Sequence, residues 1–187
     1  TARPLTITAV ADTKEYIRTT ASAGVPTLTS GAIQGSDSVT WTQTFDNWNV
    51  GSGKTLTPAG VVTDGNSGNN YSYTYTPVAT GVITAKAITG NFTVDATRVY
   101  DGGASANVLT RTLNNVISGD TVTLTGGTAS YNNKNVGTGK TVTLSGASLA
   151  DTDAGNYTLS SVATTTADIT ARPLTITAVA DTKEYIR

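Results

Sequence analysis

The chain has 187 residues and a formal net charge of −1, and only 13% of it is charged. No basic patch is available to neutralise phosphates, so nucleic acid is not an expected partner. Cys, His and Met are all absent, which rules out disulfides, thiolate or imidazole metal sites and any triad built on Cys or His.

Threonine is the most frequent residue. It is β-branched and suits a strand with one wet face. TARPLTITAVADTKEYIR (1–18) opens the chain, and its LTITAV alternates apolar and polar residues as a strand does. VTWTQTF puts Val39, Trp41, Gln43 and Phe45 on one face and threonines on the other. NVGSGKT (49–55) then has the look of a phosphate-binding loop. That loop needs Gly-x-x-x-x-Gly-Lys-Thr opening a helix, but Trp48 stands where its first glycine belongs and the strand-like TLTPAGVV follows. The motif returns as NVGTGKT (135–141), with Lys134 in the glycine's place. A glycine-rich turn feeding a strand is the stronger reading.

Further along, Tyr71, Tyr73 and Tyr75 share one strand face. ANVLTRTLNNVIS (106–118) has the best case for a short helix, through Val108, Leu109, Leu113, Val116 and Ile117. KTVTLSG points Val142 and Leu144 inward. Turn signals recur at the rhythm of a sandwich or small barrel. No apolar run is long enough to cross a membrane as a helix. No signal peptide is visible, and the pattern begins and stops mid-repeat, as an excerpt of a longer protein does.

The chain repeats at two scales. Residues 170–187 reproduce residues 1–18 without a change, a period of 169 from Thr1 to Thr170. Inside it, ITAKAIT (83–89) matches ITARPLT (169–175), and NVGSGKTLT matches NVGTGKTVT. Asn70-Tyr71 matches Asn156-Tyr157. Two diverged units therefore alternate in a tandem array: 1–86, 87–170, and 171–187 as the start of the next. The apolar face flips from Ile83 to Ile88 and from Ile169 to Leu174 and Ile176. A flip inside one strand would expose half of it. At a boundary it means that one unit's last strand runs almost directly into the next unit's first. That predicts a stiff, elongated array with no flexible linker. Residues 171–187 are expected to be the least well ordered, or to borrow a neighbouring molecule's sheet edge, since Leu174, Ile176 and Ile186 lack a core of their own.

RVYDGG (98–103), SGDTVTLTGGTASYNNKNVGTGKTVTLSGASLADTDAGNYTLS (118–160) and ADITARPLTIT (167–177) stand in order. This set resembles the YDG-type repeats, related to the mostly bacterial Ig-like repeats, of large bacterial surface adhesins such as filamentous-haemagglutinin-like exoproteins. It covers nearly all of the second unit. The first fits poorly at its front, where Tyr16 is followed by Ile17-Arg18. The resemblance implies an all-β chain of two tandem small Ig-like β-sandwich domains, extracellular on the bacterial surface, with a role in adhesion or in spacing.

Candidate sites each have a plainer alternative. Asp151 and Asp153, and Asp64 with Asn66, cluster oxygen ligands of the kind calcium takes, but Asp and Asn are also ordinary turn formers. Trp48 and Tyr71 offer aromatic faces to a glycan; Tyr71 equally fits a core. Lys54 and Lys140 could join an internal isopeptide link or simply end a strand in solvent. Asp37, Asp101 and Asp120 sit beside glycines in turns, with nothing to pair them as catalytic carboxylates. No nucleophile–base set is visible, so no enzyme and no cofactor is expected. The leading expectation is a monomeric structural extender, or stalk, projecting the adhesive part of a biofilm protein, with neighbouring repeats as its partners. The alternative is a multivalent repeat that binds glycan or exopolysaccharide weakly and gains avidity.

Overall fold

Alternating threonine and apolar residues build strands almost everywhere in the computed structural model, which describes residues 1–187. The first half contains β1 (Arg3–Thr8), β2 (Thr13–Glu15), β3 (Thr27–Ser30), β4 (Thr42–Phe45), β5 (Gly51–Ala59), β6 (Tyr71–Thr76) and β7 (Val78–Thr84). The second contains β8 (Lys86–Val94), β9 (Thr97–Val99), β10 (Ser105–Ala106), β11 (Val108–Asn114), β12 (Thr123–Tyr131), β13 (Gly137–Ala150), β14 (Tyr157–Val162) and β15 (Thr165–Thr170). One 3-10 turn, Ala154–Asn156, is the sole helical element. The chain is all-β.

Each half has one three-stranded sheet and one larger sheet. In the first, the orders are β3-β1-β6 and β2-β7-β5-β4; in the second, β11-β8-β14 and β10-β12-β13-β15-β9. The two halves share one topology. β8 takes the place of β1, β9 of β2, β11 of β3, β12 of β4, β13 of β5, β14 of β6 and β15 of β7. Even the mixed pairings agree: β1 with β6 and β8 with β14 are parallel, as are β2 with β7 and β9 with β15. β10 is the addition, where the first half has only an isolated bridge between Ala21 and Thr44.

The helix considered over 106–118 does not form. Val108–Asn114 pairs antiparallel with β8, Arg111 opposite Phe92 and Leu113 opposite Gly90. Its threonines and its open partner edge favour the sheet, and the apolar Val116 and Ile117 pack just after the strand ends. Elsewhere alternation predicts burial well: Gln43, Phe45, Val142 and Leu144 are all buried. The buried Gln43 is satisfied, its amide accepting from Val10 N–H and donating to Val10 O, both at 2.9 Å.

β7 ends at Thr84 and β8 starts at Lys86, with Ala85 between them. Ile83 and Ile88 are both buried although they are an odd number of residues apart. They can be, because β7 lies in the larger sheet of the first half and β8 in the small sheet of the second. Three apolar clusters follow along the chain. One holds Leu5, Ile7, Val62 and Tyr71. One joins the halves, with Ala9, Tyr16, Phe45, Leu56 and Ile83 from the first and Ile88 and Tyr157 from the second. The third holds Phe92, Ala129, Tyr131, Val142, Leu144, Ala167 and Ile169. Residues 171–187 form no strand, and each is exposed.

Candidate functional site: the junction between the halves

The middle cluster is built from matched parts of the two halves. The first half contributes the end of β2 and the loop before β5. Tyr16, one residue past β2, donates its backbone N–H to Thr84 O at 2.9 Å, which aims its ring at the second half. There it meets Tyr157 edge-on, ring centroids 5.5 Å apart. Both phenols donate to one oxygen, Asp120 Oδ2; for Tyr16 the distance is 2.9 Å. Tyr157 OH also accepts from Ile117 N–H at 3.0 Å.

Asp120 is the centre of this arrangement, and its side chain is fully out of solvent. Arg18 Nε lies 2.8 Å from the other oxygen, Oδ1. The approach is an ion pair without an aligned hydrogen bond, since Oδ1 accepts none. Arg18 reaches it across Gly119, where a Cβ would fall 2.3 Å from Arg18 Nη1. Arg18 itself holds a left-handed φ of 59°, a conformation that costs a side-chain-bearing residue about 1 kcal/mol. Burial first, and then the bond to Asp120, pushes both phenols upward in pKa: Tyr16 strongly, Tyr157 to about 12.

The second contact is made by the NVGSGKT turn of the first half. Val50 donates its N–H to Asn156 Oδ1 at 2.9 Å, and Asn156 Nδ2 reaches Asn49 Oδ1 at 3.4 Å. Lys54 braces the loop by donating to Asn47 Oδ1, which also accepts from Asn49 N–H at 3.1 Å. In the second half Lys140 donates to Asn133 Oδ1 at 2.6 Å, and Asn135 N–H to the same oxygen at 3.0 Å. In both halves the lysine of the motif thus holds an asparagine turn, and in the first half the tip of that turn meets Asn156. Lys86 and Glu15 add an ion pair of 2.9 Å across the same boundary.

The residues singled out from the sequence fall elsewhere. Asp64 accepts from the N–H groups of Asn66 and Gly68 at 2.8 Å and of Asn70 at 3.0 Å. Desolvation raises its pKa, but the three donors outweigh that and hold the carboxyl below its ordinary value. Asn66 is exposed, and its amide donates to Asn70 Oδ1 at 3.1 Å. Asp153 accepts from Thr121 N–H at 2.7 Å, while Asp151 is exposed at a φ of 79°. No three acidic side chains come together as a cation site. Trp48 is 45% exposed beside the NVGSGKT turn. Tyr71 is buried, donates to Asp37 Oδ2 at 2.6 Å and keeps its ring in the first cluster. Asp120, Tyr16 and Asn156, the residues that organise the junction, were missed as a set. The signals were there: an Asn-Tyr pair and a turn aspartate that recur in both units.

No curated protein and no solved structure matches the chain. A family described as the YDG domain matches it twice, over residues 1–79 and 84–167. This corrects the resemblance drawn from the motifs. The matching family is the YDG domain and not the mostly bacterial Ig-like repeat of surface adhesins, and an adhesin identity that rested on that likeness falls with it. Alternating strands with Asn/Gly turns are shared by many small β modules, so their order along a chain does not separate such families. The first half also matches, despite Ile17-Arg18 after Tyr16, and Arg18 adopts the left-handed backbone that Gly102, at φ +90°, adopts in the second half. With both halves matched, the chain belongs to the YDG domain family.

Proposed function

We propose that this chain is a structural extender: two small Ig-like sandwiches locked end to end, repeated in tandem to give reach and stiffness to an extracellular bacterial protein. The observation that carries the reading is the buried Tyr16–Asp120–Tyr157 centre inside a cluster drawn from both halves. A flexible tether would leave such groups in water. Here they are desolvated, and each hydroxyl has its acceptor, so bending the junction would strand a buried carboxylate. The direct run from β7 into β8 removes the remaining hinge.

The cations also suit a structural role. Lys14 donates to Thr19 O and Ala21 O, Arg98 to Gly103 O and Ser105 O, and Arg111 to Gly126 O. Arg18 and Lys86 face carboxylates of the chain itself. These five are committed internally and are not free for a phosphate backbone.

The test has two arms. Residual dipolar couplings should fit both halves with one alignment tensor; independent tensors would refute the locked pair. A binding screen on chains with one and two periods should find no ligand among glycans, exopolysaccharides and DNA duplexes with and without 5-methylcytosine. The duplexes are included because SRA/YDG domains bind that base. Glycan binding that strengthens with copy number would instead make this an adhesive repeat, with Trp48 as the first residue to mutate.

A further inference from the structure

The junction inside the chain has a complement at its two outer ends. We propose that the far end of the second half docks onto the first half of a following copy of the period, through the same interlock that joins the two halves here.

The outer clusters are the two parts of the middle one. Tyr71 repeats Tyr157: it donates to Asp37 and accepts from Gln34 N–H at 3.0 Å, as Tyr157 does with Asp120 and Ile117. The turns agree as well, with Asp37 N–H on Gln34 O at 3.0 Å and Asp120 N–H on Ile117 O at 3.1 Å. At the other end Tyr100 repeats Tyr16, donating its N–H to Thr170 O at 2.9 Å as Tyr16 does to Thr84 O. Asn135 and Val136 stand where Asn49 and Val50 stand, and Asn70 stands where Asn156 does. The difference is cover. Tyr16 is fully buried by the second half, whereas Tyr100 is partly exposed, and Val99 and Val136 are 51% and 55% exposed.

The pairing is also complementary in size. Inside the chain, Arg18 lies over Gly119. At the outer ends, Gly102 stands in the place of Arg18 and Ser36 in the place of Gly119. The large residue meets the small one in the first case, and a glycine meets a serine in the second. The occupant is set by the chain itself: residues 170–187 repeat 1–18 and run on directly from β15, which ends at Thr170, just as β7 is followed by β8. The outer interlock therefore carries the Tyr–Asp–Tyr centre but no arginine.

The proposal rests on the extender reading only for its consequence, a lock at every boundary rather than at every second one. The test uses a chain carrying the period twice, residues 1–187 followed by residues 19–187. Because no native cysteine competes, Val136→Cys in the first copy and Asn70→Cys in the second can be joined by a short bis-maleimide. Val50→Cys with Asn156→Cys is the benchmark for the inner junction. Both pairs should close with yields within about twofold. In the unsubstituted double chain, the Val136 amide of the first copy should exchange roughly tenfold more slowly than in the single chain. A benchmark that closes while the outer pair stays open, or an unprotected Val136 amide, overturns the interlock and leaves an extender with a hinge in each period. Ligand binding in the screen above would remove the extender reading and leave this result standing.

Discussion

Asp120 accepts from two phenols and pairs with the Arg18 guanidinium, and its replacement should be the most damaging single change at the junction. Asp120→Ala leaves the buried Tyr16 OH and Tyr157 OH without their acceptor and unpairs Arg18, and is expected to cost about 3 kcal/mol, read by urea denaturation. Arg18→Gly should cost far less, within about 1 kcal/mol, because the lost ion pair is offset by relief of a left-handed backbone that glycine adopts freely. The same variant should flatten the salt dependence of stability. The raised phenols give a pH signature. Below about pH 10 they are neutral in both folded and unfolded chains. Above it, the unfolded chain releases protons that the folded junction still holds, so stability falls as pH rises toward about 12, the value for Tyr157. Denaturation curves between pH 8 and 11.5 should show this slope, and Tyr157→Phe should reduce it.

Among the elements, the passage from β7 to β8 decides whether the halves act together. One residue separates the strands, so a movement of one is carried into the other. Inserting Gly-Ser-Gly-Ser after Ala85 should separate Tyr16 from Asp120 and split one unfolding transition into two, which calorimetry would resolve. A single transition of unchanged enthalpy would argue that the contacts, rather than the short connection, hold the halves together. Ile88, at the start of β8 and fully buried in the middle cluster, offers the packing counterpart. Ile88→Ala should cost about 3 kcal/mol through lost burial and the cavity left behind. It should weaken the junction without touching a polar group.

Over the whole molecule, the apolar clusters lie in series along the chain, and only the middle one is made from both halves. Residues 171–187 add nothing to any of them: Leu174, Ile176 and Ile186 are exposed, although Leu5 and Ile7, the same residues one period earlier, are buried. Deleting residues 171–187 should therefore change stability by less than about 0.5 kcal/mol, checked by thermal denaturation of the shortened chain. Supplying the rest of the following unit should have the opposite effect and bring Leu174 and Ile176 into a core.

Period-two alternation, threonine content and turn residues are local properties, and they determined the strands, the inward positions from Gln43 to Leu144, and the repeat that makes the two halves alike. The face flip between Ile83 and Ile88 is local too, and it marked the place where one sheet hands over to the next. The Tyr16–Asp120–Tyr157 centre is not local. Its members are brought together by folding from distant parts of the chain, and each alone looks like a turn or strand-end residue. The same is true of NVGSGKT: its glycines and lysine read as a turn, but only the packed halves reveal that Val50 at its tip meets Asn156. Local pattern determines which face of a strand is dry. Which dry faces then meet, and which carboxylate is buried between them, is decided by tertiary packing, because the hydrogen bonds and ion pair that offset the desolvation of those groups form only once both halves are in place.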